Sequence, residues 1–308
     1  MKKWLLKAIV QKGISFLPGK HQINYLFQRF VTRGVQLSPA YLEDKLVHFQ
    51  KHAGFFRKYR GELSGRSVLE LGTGWYPVIP LCLYLEGAGP IFTVDISRLT
   101  NLENIRHTAW RLLERYRDGS LQTYVQVQPA RLEALTAWVE ALDDAPVDES
   151  LDRLGIRYLV ADARQLPLPD DSLDLVLSNN TFEHIYPEIL AGILQEFQRV
   201  VQPNGLMSHF IDMSDHFAHL DPSITIYHFL RFSKGQWAWV DNSVQPQNRW
   251  RLSHYRRLYE RLGIPITLEE NRPGSLTELA KTPVHADFAG LSPEELAISH
   301  SYVVSAML

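Results

Sequence analysis

Short apolar runs alternate with longer amphipathic stretches along most of this chain, from residue 65 onward. Five of the runs have the length of buried strands, at 67–71, 91–95, 156–160, 173–177 and 205–211. Helical stretches follow the first and the fourth of them, at 78–85 and 188–200. Parallel strands joined by helical crossovers form a sheet that is covered on both faces. We therefore expect a doubly wound α/β fold whose ligands bind at the carboxyl ends of the strands.

A helical block precedes the first predicted strand. It contains one amphipathic stretch near the start and a second at 41–59, which Ser38-Pro39 opens and Gly61 ends. We expect a helical cap at 1–64 and the α/β domain at 65–308. Two stretches are too long for ordinary connections and are expected to elaborate that domain. They are 118–155, with a helical run at 131–142 and an acidic turn at 143–149, and 212–255, which is rich in His, Asp and Trp.

The charges nearly balance, with 32 Lys/Arg against 34 Asp/Glu, but they are unevenly placed. Residues 1–66 hold 13 basic and 3 acidic residues, and the remainder holds 19 and 31. A sequence-reading nucleic-acid binder concentrates positive charge around its site, so the acidic body argues against that class. The basic first helix is expected to pack on the body, with peripheral contact to an anionic membrane as the open alternative.

Compartment and assembly are constrained only weakly. No run approaches about 18 uninterrupted apolar residues, so no membrane-spanning segment is expected. The single cysteine, Cys82, cannot form an intrachain disulfide, which favours a reducing cytoplasm. A monomer and a homodimer both remain open.

The turn after the first predicted strand carries two glycines behind an acidic residue. Gly72 and Gly74 let the backbone turn sharply and approach a ligand closely. The dinucleotide fingerprint G-x-G-x-x-G fails, because Pro77 stands at its third glycine. Glu70 would disfavour a pyrophosphate but suits a ligand that carries an ammonium and a sulfonium. S-adenosylmethionine is such a ligand.

Two further strand ends carry acidic residues. Asp95 ends the second predicted strand and can accept hydrogen bonds from both hydroxyls of a ribose. Asp162 and Ala163 follow the third strand, where they can receive an adenine amino group and offer a backbone N–H to the ring. An NAD-dependent enzyme shares the ribose-binding Asp, but Glu70 and Pro77 disfavour it.

These motifs, taken in order, make the sequence resemble the class I S-adenosylmethionine-dependent methyltransferases of the small-molecule type. The resemblance lies in VLELGTG at 68–74, TVD at 93–95, the run at 161–185 and RVVQPNGL at 199–206. It implies a mostly parallel seven-stranded sheet that ends in an antiparallel hairpin. It also implies that S-adenosyl-L-methionine is the cofactor.

Carried over by position, the resemblance assigns a cofactor site. The methionine portion lies near Glu70, Gly72 and Gly74, and Ser178 and Asn179 lie beside the methyl-bearing sulfur. Tyr76 stands where many members have a third glycine, and it is expected to narrow or cover the pocket. The full expected set is Glu70, Gly72, Gly74, Tyr76, Asp95, Ile96, Asp162, Ala163, Ser178 and Asn179.

The segment after the fourth predicted strand bears on the methyl acceptor. Amino-methylating nucleic-acid enzymes of this superfamily carry an acidic residue or Asn followed by Pro-Pro and an aromatic there, and this chain does not. Glu183-His184 is instead common in small-molecule members. His184 is expected to polarise the acceptor or line the cofactor pocket, with a packing role as the alternative.

The segment that follows the fifth predicted strand should lie beside the acceptor. Methyl transfer is a direct displacement, and a hydroxyl acceptor must also lose its proton, for which His is the usual base near neutral pH. We expect His216 to be that base, paired with Asp212 or Asp215. Two alternatives stay open. His216 and His219 with nearby carboxylates could bind a divalent metal, or the polar residues could simply fasten the cap.

The expected function is S-adenosylmethionine-dependent methylation of a small molecule, most simply at oxygen, of a natural-product, glycan or lipid intermediate. Transfer to nitrogen or carbon, metal-assisted transfer, and a non-catalytic protein of the same fold are the alternatives. The expected catalytic residues are His216, Asp215 and His184, and no metal ligand set is assigned. The expected acceptor-binding residues are His219, Asp212, Trp237, Asn248 and Arg249.

Overall fold

The computed structural model describes residues 2–20, 23, 36–141 and 145–307. Two helices precede the first strand within this part of the chain, α1 (Lys3–Ile14) and α2 (Pro39–Arg60). Ser38 caps α2 by accepting a hydrogen bond from the N–H of Tyr41, and Gly61 ends it with a φ of 85°. The predicted limits of this helix are confirmed. The rest of the predicted cap, at 21–22 and 24–35, and the part of the acidic turn at 143–144 lie outside the described residues.

Seven strands form one sheet. They are β1 (Val68–Leu71), β2 (Ile91–Asp95), β3 (Ile156–Val160), β4 (Leu173–Asn179), β5 (Val201–Asp212), β6 (Leu268–Arg272) and β7 (His300–Ala306). Their order is β3-β2-β1-β4-β5-β7-β6, and β7 runs antiparallel to both of its neighbours. The other pairs are parallel. The expected seven-stranded α/β fold with a final antiparallel hairpin is confirmed.

Helices cover both faces of the sheet. After α2 they are α3 (Val78–Leu85), α4 (Leu102–Arg117), α5 (Pro129–Glu140), α6 (Val147–Asp152), α7 (Pro187–Val200), α8 (Lys234–Val240), α9 (Leu252–Leu262), α10 (Leu276–Leu279) and α11 (Pro293–Ala297). Short 3-10 helices lie at Leu121–Thr123, Phe182–His184, His228–Arg231 and Ala286–Phe288. None of these described helices is long and apolar enough to cross a membrane.

The sheet separates two apolar cores, and α2 belongs to one of them. Leu42, Leu46 and Phe49 of α2 are buried with α3 and with one face of the sheet. On the other face, α7 and α9 pack against the sheet. Burying one Leu or Phe side chain stabilises a fold by about 1.5–3 kcal/mol, so α2 is an integral part of this one. A third cluster joins α1 to the segment after β5 through Ala8 and Trp237.

One predicted turn lies inside a strand. Pro203-Asn204-Gly205 was expected to precede the fifth strand, but β5 begins at Val201 and continues through these residues. Asn204 has a φ of 67°, and the register with β4 shifts between Leu173 and Leu175. Between these two pairs β4 advances by two residues and β5 by five, and a bulge accommodates the three extra residues of β5 and keeps the pairing on both sides of it. The turn-forming residues Pro203, Asn204 and Gly205 can therefore lie within a continuous strand.

The stretch at 118–155 is folded against the body in its described part. Leu135 of α5 and Leu151 of α6 are buried in the core that includes α3, and the Trp138 indole N–H donates to the carbonyl of Ser150 at 2.8 Å. The helical run expected at 131–142 is observed as Pro129–Glu140. The division of the chain at residue 65 and the limits of the two elaborations stay predictions.

Candidate active site

Four strands bring polar side chains to one edge and one face of the sheet. Glu70 of β1, Asp95 of β2, Asn179 of β4 and Asp212 of β5 lie at or next to the carboxyl ends of their strands. In each strand, a residue an even number of positions away packs in the core that includes α2. Alternate side chains of a strand point to the same face, so all four polar side chains project toward the face of the sheet that α2 covers. The N-terminal half of α2 passes over this edge.

Two glycines shape the loop after β1. Gly72 and Gly74 have φ values of 82° and 71°, in the left-handed region that favours glycine. A Cβ on Gly72 would lie 2.4 Å from the hydroxyl oxygen of Thr181, so the loop is pressed against the residues that follow β4. The N–H of Gly74 donates to the carboxylate of Asp95 at 3.2 Å. The loop after β1 is thus in contact with the residues that follow β4 and hydrogen-bonded to the end of β2.

Two buried carboxyl groups lie beside this loop. Burial raises the pKa of Asp95 to about 7, although the Tyr158 hydroxyl donates to it at 3.0 Å. Burial, followed by the negative charge of Asp95, raises the pKa of Glu70 to about 8. One carboxylate oxygen of Glu70 has no hydrogen-bond partner among the described residues. A buried carboxyl group with unused acceptor capacity is suited to a cationic ligand group such as an ammonium.

His216 is paired with Asp212 at the end of β5. Its Nε2 atom lies 3.2 Å from Oδ2 of Asp212, while Nε2 of His300 lies 3.3 Å from the other carboxylate oxygen. Burial works against ionisation of Asp212. The neighbouring His216 and His300 and the N–H of Ser214 outweigh it and hold the pKa of Asp212 below its usual range. An ionised Asp212 therefore stabilises positive charge on His216.

Asp215 has a different partner. Its Oδ2 lies 3.2 Å from Nδ1 of His228, and its Oδ1 accepts from the N–H of Phe217 at 2.8 Å. Asp215 is fully buried in this arrangement. Of the two carboxylates expected beside His216, the structure pairs Asp212 with it and turns Asp215 toward His228.

Two more histidines surround His216. The ring of His184 lies 4.8 Å from that of His216, and its Nδ1 lies 2.7 Å from the carbonyl of Pro246, to which it must donate. Burial, followed by the charge of His216, lowers the pKa of His184 to about 4, so its ring is neutral near pH 7. The ring of His219 lies 5.7 Å from that of His216 and is exposed. The remaining nitrogen of His184 can accept a hydrogen bond.

The same side chains have the composition of a metal site. The ligand atoms of Asp212, His216 and His219 lie within 4.8 Å of one another, as do those of Glu183, His184 and His216. Imidazole and carboxylate groups bind transition metals at such spacings. The metal-assisted alternative therefore has a candidate ligand set in the described structure.

A narrow cavity leads from this cluster to α1. Its walls include Lys7 and Gln11 of α1, His184, His216 and Trp237. A larger surface cavity lies next to Pro90 and Gly155, which precede β2 and β3, and it is therefore at the opposite edge of the sheet. None of the residues predicted for the site lines that larger cavity.

A family model described as a methyltransferase domain matches residues 117–208. The match includes β3, β4, Glu183 and His184. The strands outside the match complete the seven-stranded sheet of the expected fold. Residues 117–208 thus match a methyltransferase domain, and they lie within the seven-stranded sheet that the resemblance implied.

Three solved structures resemble this chain weakly. An S-adenosylmethionine-dependent methyltransferase from Mesorhizobium loti is 16% identical, with a TM-score of 0.42, 82% of this chain covered and 95% of that one. An S-adenosylmethionine-dependent methyltransferase from Methanosarcina mazei is 14% identical, with a TM-score of 0.45 and coverages of 82% and 97%. Phosphoethanolamine N-methyltransferase 2 of Haemonchus contortus is 14% identical, with a TM-score of 0.45 and coverages of 83% and 52%. At these values the similarity carries no information about the acceptor.

The other residues expected around the cofactor differ in burial and in their contacts. Asp162 is partly exposed, and its carboxylate pairs with the guanidinium of Arg164 at 2.6 Å, which lowers the pKa of Asp162. Ala163 is buried in the core, whereas Ile96 is largely exposed next to Asp95. The ring of Tyr76 packs edge-on against that of Tyr41 of α2, at 6.0 Å between centroids.

Ser178 and Asn179 point to opposite faces of the sheet. The Ser178 hydroxyl lies 2.9 Å from Nδ1 of His209, and Oδ1 of Asn179 lies 2.9 Å from Nε2 of His52. Burial lowers the pKa values of both histidines to about 3, so both rings are neutral. The Asn179 amide nitrogen has no partner among the described residues. The expectation that these two residues lie beside the sulfur stays a prediction.

Three of the predicted acceptor-binding residues donate hydrogen bonds to backbone carbonyls. The Asn248 amide donates to the carbonyls of Phe182 and Ile185 at 2.8 Å. One guanidinium nitrogen of Arg249 donates to the carbonyls of Phe229 and Phe232. The Trp237 indole N–H donates to the carbonyl of Gln247 at 3.0 Å, and its ring also lines the cavity. Asn248 thus fastens the segment 212–255 to the residues that follow β4, whereas the hydrogen bonds of Arg249 and Trp237 lie within that segment.

Sequence reasoning missed two contributors to the site. Lys45 of α2 is half-buried, and Glu70, Glu183 and Asp212 are among the carboxylates that act on its charge. His300 is the second neighbour of Asp212, and the β5–β7 register pairs these two residues. The spacing of Tyr41 and Lys45, one helical turn apart on the buried side of α2, was the available signal for Lys45. The position of His300 depends on the strand register, which the sequence does not reveal.

Proposed function

We propose that this chain is an S-adenosylmethionine-dependent methyltransferase that acts on a hydroxyl group of a small molecule, a natural-product, glycan or lipid intermediate, with His216 as the base. The pair of His216 and Asp212 carries the proposal. It follows β5, at the same edge of the sheet as Glu70 and Asp95, where an acceptor and the cofactor have to meet. A narrow cavity reaches the pair, which suits a small acceptor better than a polymer.

We assign the cofactor to the loop after β1 and the ends of β1 to β4. S-adenosylmethionine supplies an electrophilic methyl group, so the protein has to bind, orient and remove a proton. Glu70, with its unused acceptor oxygen, suits the ammonium, and Asp95 suits the ribose. Gly72 and Gly74 leave room for the methionine portion, and the exposed Ile96 and the partly exposed Asp162 border the adenine. Tyr76, Ala163, Ser178 and Asn179 complete the proposed set.

His216 and His184 have different proposed tasks. With Nε2 of His216 directed at Asp212, its Nδ1 is the nitrogen that takes the hydroxyl proton, and Asp212 stabilises the resulting imidazolium. His184 is fixed by its hydrogen bond to Pro246 and stays neutral, so it can accept a hydrogen bond and orient the acceptor. His219, at the exposed side of the cluster, is placed to contact the acceptor as it enters.

The experiment offers a pool of small-molecule extracts and methyl-labelled S-adenosylmethionine to the enzyme. A labelled product whose methyl group is on oxygen is expected, and fragmentation in a mass spectrometer locates it. His216→Ala should lower kcat by about 100-fold or more and leave binding of S-adenosylhomocysteine unchanged. The matched control is His285→Ala, because His285 also lies near a carboxylate, Asp287, but outside the site. Methylation at nitrogen or carbon, or full activity of the His216 variant, would contradict the proposal.

The histidine cluster supports metal-assisted methylation as the second candidate. An ion held by Asp212, His216 and His219 would lower the pKa of a bound hydroxyl, and the base would then be unnecessary. The two mechanisms differ in one result. The enzyme is treated with a chelator, which is then removed. If His216 is the base, the treated enzyme should keep its activity. If a metal assists the transfer, the treated enzyme should be inactive and should regain activity only when a divalent metal is added.

We also propose that the enzyme works in the cytoplasm, as a monomer or homodimer, and does not act on nucleic acid. Cys82 is buried and unpaired, which is compatible with a reducing compartment. The acidic body disfavours a polyanionic substrate. Sedimentation equilibrium measures the assembly state directly.

A further inference from the structure

Helix α1 is held to the body along one side. The backbone N–H of Trp4 donates to Asp221 at 3.1 Å, and its ring packs edge-on against His228. One turn later Ala8 is buried, and Lys12 donates to the carbonyls of Ala238 and Asp241. These contacts fix the orientation of α1, and the opposite side of the helix faces away from the protein.

That opposite side is apolar as well. Ile9 is 54% exposed, Phe16 just beyond the helix is 78% exposed, and Trp239 of the neighbouring α8 is 84% exposed. We call the outer apolar face the set formed by Leu5, Leu6, Ile9, Phe16, Leu17 and Trp239. These are six of the eleven large apolar side chains that are most exposed in the described part of the chain. Leu5 and Ile9 are one helical turn apart, so the exposed side chains form a stripe and are not scattered.

Exposed basic residues occur in the same two segments as the outer apolar face. Lys2 and Lys3 are exposed at the start of α1, and Arg231 and Lys234 are exposed in the segment that leads into α8. Residues 1–20 contain five lysines and no acidic residue. Apolar side chains that insert into a bilayer, bordered by lysines that meet anionic head groups, are the features of an interfacial membrane-binding helix.

We propose that the outer apolar face docks on an anionic phospholipid bilayer, with α1 lying in the plane of the interface. A second copy of the chain is a poorer occupant. In a two-fold contact each face would meet itself and bring its lysines against those of the other copy. An anionic surface instead neutralises them. Docking is peripheral, since none of the described helices has the length and apolar character to cross a membrane.

The inner side of α1 links this face to the acceptor. Lys7 and Gln11 line the cavity that contains His184 and His216. With α1 lying on the bilayer, that cavity opens close to the membrane surface, which suits an acceptor with a lipid portion. The link to the acceptor rests on the proposed function, whereas the docking of α1 does not.

The test measures binding of the full chain to vesicles of phosphatidylcholine, with and without phosphatidylglycerol, by co-sedimentation. Binding is expected with phosphatidylglycerol, and it should weaken without it and at high salt. Leu6→Ser with Ile9→Ser, and separately Trp239→Ser, should each weaken binding by about tenfold or more. Trp110→Ser is the matched control, because Trp110 is also exposed, on α4, and should leave binding unchanged.

Folding and self-association are checked on the same samples. Each variant should keep the wild-type affinity for S-adenosylhomocysteine, which reports on an intact fold. Because Trp239 is so exposed, its variant remains informative even if the double variant in α1 unfolds. The proposal is overturned if the wild type binds neither kind of vesicle, or if the variants bind as the wild type does. It is also overturned if the protein dimerises through this face, seen as a dimer that both variants dissociate. A docked enzyme that methylates nothing would refute the proposed function alone.

Discussion

Nε2 of His216 lies 3.2 Å from Oδ2 of Asp212, four residues earlier in the chain. Asp212 ends β5, and the chain then turns so that His216 comes back over it. The same carboxylate is held from the other side by His300 and by the N–H of Ser214. Asp212 is therefore ionised and fixed before any ligand binds, which is what a partner of a base requires.

Asp212→Asn should lower kcat by about 100-fold or more, because the amide cannot stabilise the imidazolium that forms on His216. The affinity for S-adenosylhomocysteine should be unchanged, as Asp212 lies on the acceptor side. Steady-state kinetics and calorimetry measure the two quantities. Asp287→Asn, which changes the carboxylate beside the surface His285, should alter neither. A variant with the wild-type kcat would refute the role of Asp212.

The raised pKa of Glu70 predicts how stability depends on pH. Its pKa is about 8 in the fold, against ~4.3 in an unfolded chain, so the native state holds the extra proton between these values. Stability of the ligand-free protein should therefore fall as pH rises from about 4.5 to 8. Glu70→Gln should stabilise the ligand-free protein at pH 8 by at least about 1 kcal/mol. The stability of this variant should still depend on pH, but less steeply, because Asp95 still titrates.

Melting temperatures across this pH range check the prediction, with the wild type and Glu70→Gln measured in the same buffers. Binding of S-adenosylmethionine should strengthen as pH rises toward 8, because an ionised Glu70 attracts the ammonium. The variant should lose this dependence. Parallel curves for the two proteins would show that Glu70 is not the group that titrates.

Asp95→Ala and Asp162→Ala should affect the cofactor unequally. Asp95 is buried among Tyr158 and the loop backbone, and losing its ribose hydrogen bonds should weaken binding of S-adenosylhomocysteine by about tenfold or more. Asp162 is only partly buried and already paired with Arg164, so its loss should have a smaller effect. Calorimetry gives both dissociation constants. An equal or reversed order would contradict the assignment.

Gly72→Ala should disrupt the loop after β1, to which we assign the cofactor. The new Cβ would meet Thr181 at 2.4 Å, and the φ of 82° would be strained in any case. The control is Gly61→Ala, which has a similar φ of 85° but open space around it and lies at the end of α2. Both variants should lose about 1 kcal/mol of stability or more, but only Gly72→Ala should lose affinity for S-adenosylhomocysteine. Equal affinities would show that the loop does not contact the cofactor.

Arg249→Met should destabilise the protein by about 2 kcal/mol or more, since it leaves the buried carbonyls of Phe229 and Phe232 without their charged donor. Urea denaturation measures this loss. At a temperature where the variant is folded, KM for the acceptor should be close to that of the wild type. A raised KM with unchanged stability would favour the contact with the acceptor that the sequence suggested.

The sequence by itself determined five of the seven strands, several of the helices and the polar ends of the strands. The limits of α3, β2 and β3 agree with those expected from apolar runs, because such patterns reflect local burial. Glu70 and Asp95 were brought to one edge by topology alone, since parallel strands end on the same side of a sheet. The sharp turn at Gly72 and Gly74 could also be expected from the sequence, because glycine readily adopts positive φ values.

Only the tertiary structure decided which side chains meet. Sequence spacing allowed both Asp212 and Asp215 as partners of His216, and the path of the chain after β5 selected Asp212. His300 joined them through the register of an antiparallel pair, and Lys45 reached the site through the packing of α2. Contacts between residues that are distant in the chain depend on register and packing, which a local pattern does not encode. The outward apolar side of α1 likewise became visible only once the body had covered the other side.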